Sequence, residues 1–262
     1  MTVQKVFARS EMKYLVTADQ RERIEDAMHG HMRSDEFGRS VVRSVYYDTP
    51  DNLLIRRSLS SPVYKEKLRL RSYSQASEDS AVYAEVKKKY DSVVYKRRVK
   101  MSCGSAERYL CGGWHDSMEG LPTDERKRFL GTQVANEIDF MLERYGELQA
   151  AAFVSCEREA FYALDDHEFR VTFDDNILGR DTDLSLMSGV GGISLLEPGQ
   201  SLMEIKSGGA IPLWMCEELS RDRLFRTPFS KYGLIYRRLI EPRKKIIIGG
   251  KENASEFVCG IV

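Results

Sequence analysis

Cysteine is scarce and unpatterned in this sequence. Cys103, Cys111, Cys156, Cys216 and Cys259 are odd in number and include no Cys-x-x-Cys spacing. That argues against a disulfide framework or a cysteine zinc site and fits a reducing cytoplasm. Histidine is scarcer: His29, His31, His115 and His167 show no metal-ligand spacing with one another, and His29-Gly30-His31 reads as a polar helix end. No apolar run approaches the ~20 residues that a membrane span needs. Met1 to Lys5 carry no apolar signal-peptide core. The expected location is therefore cytoplasmic, and work at a membrane would call for a separate membrane-protein partner. Net charge is lacking too, since 40 Lys and Arg balance 40 Asp and Glu. Bulk charge thus points to neither nucleic acid nor membrane, and any field must come from local segregation. There is no internal repeat and no low-complexity segment.

What is present is a set of strand-like segments with charge where a core would place Val and Leu. Alternate strand side chains point to opposite faces. In 67–71, Lys67, Arg69 and Arg71 share one side; in 83–89, Glu85, Lys87 and Lys89 do. Segments 170–174 and 202–206 repeat the pattern, with apolar residues on much of the other face. One such strand is an ordinary exposed strand, but several suggest a curled sheet whose polar faces line a shared interior. That interior, rich in cations with a few carboxylates, suits a polyanion with a divalent metal.

Along the chain, strands are expected over 5–17, 40–47, 63–73, 81–89, 93–101, 151–163, 167–174 and 201–206. Helices are expected from near Gln20, as a short turn from Asn52 to Arg57, and over 105–111, 124–131, 133–145 and 212–219. Trp114 and Trp214 read as packing residues, and Tyr46 and Tyr47 as core and sheet-face residues. Asp48-Thr49-Pro50 reads as a turn. Hairpin spacing points to an α+β fold, an antiparallel sheet with helices packed outside. The alternation favours closure into a β-barrel, which removes sheet edges. Residues 5–240 form one expected domain and 241–262 a tail.

These pieces, in order, resemble the VTC-type polyphosphate polymerase domain of the triphosphate tunnel metalloenzyme superfamily, related to CYTH proteins. The carrying segments are Glu11 to Val16, Val45 to Asp48, Lys67 to Arg71, Ala84 to Lys87, Lys96 to Arg98, Glu157 to Phe161, Arg170 to Asp174, Leu202 to Lys206 and Phe229 to Tyr232. The resemblance runs from about Phe7 to Leu239. It implies an eight-stranded closed tunnel, ATP and polyphosphate as ligands, and transfer of the ATP γ-phosphate to a growing polyphosphate chain with Mn²⁺ or Mg²⁺. By resemblance, Lys13 is the lysine of the first strand and Glu11 its acidic partner. Arg69 and Arg71 are the paired triphosphate-binding arginines. Lys87 and Glu85 come from the next strand, and Lys96 or Arg98 from the one after. Arg158, Arg170, Lys206 and Lys231 complete the cations, with Lys67 beside the arginine pair. Glu204 matches the metal-binding glutamate. Where the family often has a second lysine three residues before Lys231, this chain has Pro228.

The chemistry needs these residue types. Arg offers a planar fork for two phosphate oxygens and Lys a movable point charge. Phosphoryl transfer asks for in-line positioning and cations where charge develops. Plainer readings stand beside these: an exposed charged edge strand for Arg69 and Arg71, a salt bridge to Lys206 for Glu204, a rim ion pair for Arg170, and a solvated run in which Lys88, and with it Lys89, lies outside. The competing activities are a triphosphatase or nucleotidyl cyclase of the same fold, and a non-catalytic polyphosphate- or nucleotide-binding module.

Overall fold

A computed structural model describes residues 10–91, 93–112 and 132–245. The expected helix over 124–131, the strand residues before Ser10, Trp114, His115 and the tail beyond 245 lie outside those residues. β1 (Ser10–Thr17) runs straight into α1 (Ala18–Met28). Thr17 and Gln20 form a capping box at the junction, each side chain bonding the other's backbone N–H (3.3 and 3.0 Å). Then come β2 (Met32–Ser34), β3 (Ser40–Asp48), α2 (Leu53–Leu59) and the meander β4 (Tyr64–Ser72), β5 (Ala81–Tyr90) and β6 (Val93–Ser102). Helices α3 (Cys103–Gly112) and α4 (Gln133–Tyr145) follow, then β7 (Gln149–Ala163), β8 (Arg170–Arg180), β9 (Ile193–Ser194) and β10 (Gln200–Ser207). α5 (Leu213–Arg221) and α6 (Lys231–Ile235) follow, α6 continuing as a π-helical turn to Ile240 and then helically to the last described residue, 245.

All the described strands belong to one antiparallel sheet of ten, in the order β1-β10-β8-β7-β3-β4-β5-β6, with β2 added on β7 and β9 on β8. Among the described residues no ladder joins β1 to β6. The expected closed eight-stranded barrel is therefore corrected to an open, curled sheet. Period-two alternation reports which face of each strand is polar; it carries no information on whether the first and last strands bond. Register shifts at Tyr46/Tyr47 and at Ser155/Glu157 mark bulges, which raise local twist and help bend the sheet.

The outer face is covered in two places. Leu68, Leu70, Val82, Ala84 and Val86 pack with α3 and α4, while Met12, Tyr14, Val171, Phe173, Met203 and Ile205 pack with α1 and α5. The expectation of helices only outside is also corrected. α2 and α6 lie on the inner face, where Ile55, Tyr232, Ile235 and Tyr236 pack with Val42, Tyr46, Val154 and Leu202. Two devices seat them. The Asp48 carboxylate accepts from the Leu54 and Ile55 N–H groups at the start of α2 (2.8 and 2.9 Å) and from the Tyr232 hydroxyl (2.9 Å). Gly179 of β8 lets α6 approach, since a Cβ there would lie 2.5 Å from Ile235 Cδ1. Inner-face apolar packing thus fills one end of the curl and leaves the charged part as a groove.

Candidate functional site

The groove has two walls. In β4, Leu68 and Leu70 are fully buried on the outer face, so Lys67, Arg69 and Arg71 must point inward. Antiparallel register sets Lys67 against Lys87 and Lys87 against Lys96, and likewise Arg69 against Glu85 and Glu85 against Arg98. Glu85, 1% exposed, accepts a hydrogen bond from Arg69 Nε at 2.7 Å and forms ion pairs with Lys96 Nζ at 2.9 Å and Arg71 Nε at 3.8 Å. Burial pushes its carboxyl up, but Arg69, Arg71 and Lys96 together outweigh that and bring it to about 2. Arg69 also donates to the Tyr46 hydroxyl (3.1 Å) and Arg71 to Ser44 Oγ (3.2 Å). Lys67 donates to Ser230 Oγ (3.2 Å); burial lowers its ammonium to about 8. Burial likewise brings Lys96 to about 8, against the pull of Glu85.

The facing wall comes from β1, β10, β8, β7 and the start of α6. Asp174, fully buried, accepts from Arg158 Nη2 and Lys231 Nζ, each at 2.6 Å. Burial raises its carboxyl, and Lys231 with Arg158 lowers it further, to about 2. Glu204 has Lys13 and Lys231 at 3.4 and 3.7 Å from Oε1, and Lys206 and Arg158 at 3.7 and 3.8 Å from Oε2. Burial opposes its charge, yet these four cations hold the carboxyl well below the ordinary range. Lys13 also donates to the Phe229 carbonyl (3.0 Å). Glu11 lies 3.5 Å from Lys13 and reaches across the opening to Lys87 at 3.2 Å. Its carboxyl, raised by burial and lowered by Lys87, stands at about 2.

The fold therefore brings together Glu11, Lys13, Lys67, Arg69, Arg71, Glu85, Lys87, Lys96, Arg158, Glu204, Lys206 and Lys231. Arg98 and Arg170 stand apart at the rim. Arg98 is exposed over the Tyr83 ring, 4.6 Å from its centroid. Arg170 is exposed and donates to the His167 carbonyl at 3.4 Å. Of the lysine run, Lys88 faces outward to Glu137 (3.0 Å), whereas Lys89 pairs in register with Lys65 on the inner face. Lys89 thus keeps the side that alternation gives it with Glu85 and Lys87, and the plainer reading of an outward run holds for Lys88 alone. Sequence reasoning passed over Asp174 and the Tyr46 hydroxyl. Asp174 had a usable signal, since it lies four residues after Arg170 and so on the same strand face.

The four cations around Glu204 all stand beyond ordinary hydrogen-bond reach. Its oxygens are ionised, inward-facing and not tightly claimed. That donor suits a hard divalent cation, which typically takes one or two carboxylates plus substrate phosphates. Among the described residues no three His, Cys, Asp or Glu side chains gather as a metal cage.

Comparison with known proteins adds the family and the fold. The family model described as VTC domain matches residues 8–240. A Bacillus halodurans protein described as a candidate adenylate cyclase has a similar structure, with 15% identity, 88% of this chain and 99% of that one covered, and a TM-score of 0.51. Weaker likenesses are to a similarly described Vibrio parahaemolyticus protein (14% identity, 87% and 97% covered, TM-score 0.46) and to a Hippeastrum protein described as a candidate adenylyl cyclase with a dominant triphosphatase activity (14% identity, 87% and 94% covered, TM-score 0.44). No curated protein matches. With its inward cations ordered along the same span that the family model covers, the chain belongs to the VTC domain family.

Proposed function

We propose that this protein is a polyphosphate polymerase that moves the γ-phosphate of ATP onto a growing polyphosphate chain within the groove. The observation that carries the proposal is the cation excess of the β4–β6 wall, where Arg69, Arg71 and Lys96 share the Glu85 carboxylate and Lys67 beside them has no ion pair among the described residues. A triphosphate carries about four negative charges, more than a single guanidinium offsets, and Arg forks bind phosphate oxygens in pairs.

In this reading Arg69 and Arg71 grip the donor phosphates while Lys13, Arg158 and Lys231 steady the transferred group from the facing wall. An oxygen of the acceptor's terminal phosphate bonds to the γ-phosphorus as the bond from that phosphorus to the β-phosphate oxygen breaks, and ADP leaves with the electron pair. Both termini are anions throughout, so in-line alignment and positive charge are the main demands on the protein. The carboxylates support this reading over water activation: Glu11, Glu85 and Asp174 are each already engaged by Lys or Arg, which leaves them poorly placed to take a proton from water. When bound, Mn²⁺ or Mg²⁺ would neutralise phosphate charge, and Glu204 is the residue that would hold it.

The test is incubation with ATP and Mn²⁺ followed by ³¹P NMR. A growing signal from internal chain phosphates, with ADP released, is expected. Orthophosphate without chain signal would make the protein a triphosphatase. Unchanged ATP in the face of tight binding would make it a binding module.

A further inference from the structure

The groove holds a buried acid that the transfer chemistry above does not use. Tyr46 is 8% exposed on the inner face of β3, with its ring stacked on Tyr232 of α6 (centroids 5.1 Å apart). Its hydroxyl accepts from Arg69 Nη1 at 3.1 Å. That bond uses a lone pair and leaves the hydroxyl's own proton free. The surroundings are lopsided. From β4, Lys67, Arg69 and Arg71 face it; from β5, Glu85 acts through Arg69; from α6, Tyr232 covers the ring but gives its own hydroxyl proton to Asp48. Lys67 has no ion pair among the described residues, and Glu85 already serves Arg69, Arg71 and Lys96. The wall is short of negative charge when no phosphate is present, and Tyr46 is the acid placed to supply it.

We propose that Tyr46 exchanges its proton with the state of the groove: it releases the proton to solvent when the groove is empty, and takes it back when a triphosphate enters, then donating it as a hydrogen bond to a phosphate oxygen held by Arg69. The cluster supports the first half: burial raises the phenol, but Arg69, Lys67 and Arg71 outweigh it and bring it to about 7. Incoming phosphate reverses the balance, because a second anion beside a phenolate disfavours its charge. Tyr46 is thus a substrate-positioning residue that makes phosphate binding proton-linked. This rests on the phosphate-binding part of the proposed function and not on the transfer step.

The experiment titrates the full chain with inorganic tripolyphosphate at a pH of about 8, following heat by calorimetry and the near-ultraviolet tyrosinate band by difference absorbance. Wild type is expected to lose tyrosinate absorbance as the ligand saturates. Tyr46→Phe, which keeps the ring on Tyr232, is expected to show no such loss, while Tyr232→Phe keeps it. Below pH 7, Tyr46→Phe is expected to bind tripolyphosphate about tenfold more weakly, the range for one hydrogen bond to a charged group, with the deficit narrowing toward pH 8. Saturation without any absorbance change, or the same change in Tyr46→Phe, overturns the proposal and leaves the phosphate groove standing. No binding of tripolyphosphate overturns both.

Discussion

On the β4–β6 wall, Lys67, Arg69, Arg71 and Lys96 face the carboxylate of Glu85, whereas on the facing wall Lys13, Arg158, Lys206 and Lys231 face Glu11, Asp174 and Glu204. The first wall carries unbalanced charge and some of its lysines are pulled down by burial. The second is nearly neutral, and its acids are held ionised by close cations. A wall of excess charge is suited to gripping an anion, because the anion brings the compensation that the protein withholds. A balanced wall is suited to fixed geometry, because its groups hold one another in place with or without a ligand. Grip and geometry are thereby divided between two halves of one sheet that meet only through tertiary folding.

The sharpest way to break this division is at Glu204. Glu204→Gln is expected to lower ADP release in Mn²⁺ by at least about a hundredfold, the scale for losing a key electrostatic group. Tripolyphosphate affinity measured by calorimetry should stay within about threefold, since the substitution takes no cation from the gripping wall. Near-normal turnover in that variant would sink the metal assignment.

Asp174 tests whether the balanced wall is structural. Removing one partner of a buried ion pair costs about 3–5 kcal/mol, and Asp174 serves both Arg158 and Lys231. Asp174→Asn is expected to fall in that range by urea denaturation. A loss below about 1 kcal/mol, the level of a surface pair, would mean that the wall is not held together by its charges.

On the gripping wall, Arg69→Ala and Arg71→Ala should each weaken tripolyphosphate binding by about 2 kcal/mol, roughly thirtyfold. Lys88→Ala, whose side chain points outward to Glu137, should leave affinity unchanged. Equal effects from Lys88 and Arg71 would reduce the wall to bulk charge.

The smallest expected effect is of pH. Lys67 and Lys96, lowered to about 8, lose their protons as pH rises through that value. Loss of positive charge weakens anion binding, so affinity should fall above pH 8 and binding should take up protons there. Replacing Lys67 with Arg, which stays charged, should flatten part of that fall. At the acid end the sign is opposite. The carboxyls of Glu11, Glu85 and Asp174 stand at about 2 against ordinary values of 4.5, 4.5 and 3.8. Their contribution to stability is complete above about pH 4.5 and is lost as pH falls toward 2. A denaturation midpoint that stays level across that acid window would remove the case for charge-held walls.

Much of the site could be read from local pattern. The inward set on β4 follows from Leu68 and Leu70 alone, and the helix expected over 133–145 is found as Gln133–Tyr145. The inner placement of α6 was not readable. No helix or strand is expected there from the sequence, and only the cap, in which Ser230 Oγ accepts from the Gly233 N–H (3.2 Å), and the contact with Gly179 make it a helix inside the curl. β2 and β9, of three and two residues, are too short to show periodicity and exist because β7 runs on past its pairing with β3 and β8 past its pairing with β10.

The sequence by itself determined which side of each strand is charged, because side-chain alternation is a property of neighbouring residues. It also determined the order of cations and acids along the chain. Only the tertiary structure decided which of them meet: Glu11 with Lys87, Asp174 with Lys231, Tyr46 with Arg69. It likewise decided that the sheet stays open and that one end is filled by α2 and α6. Those outcomes depend on register, twist and packing between segments far apart in the chain, and no local pattern encodes them.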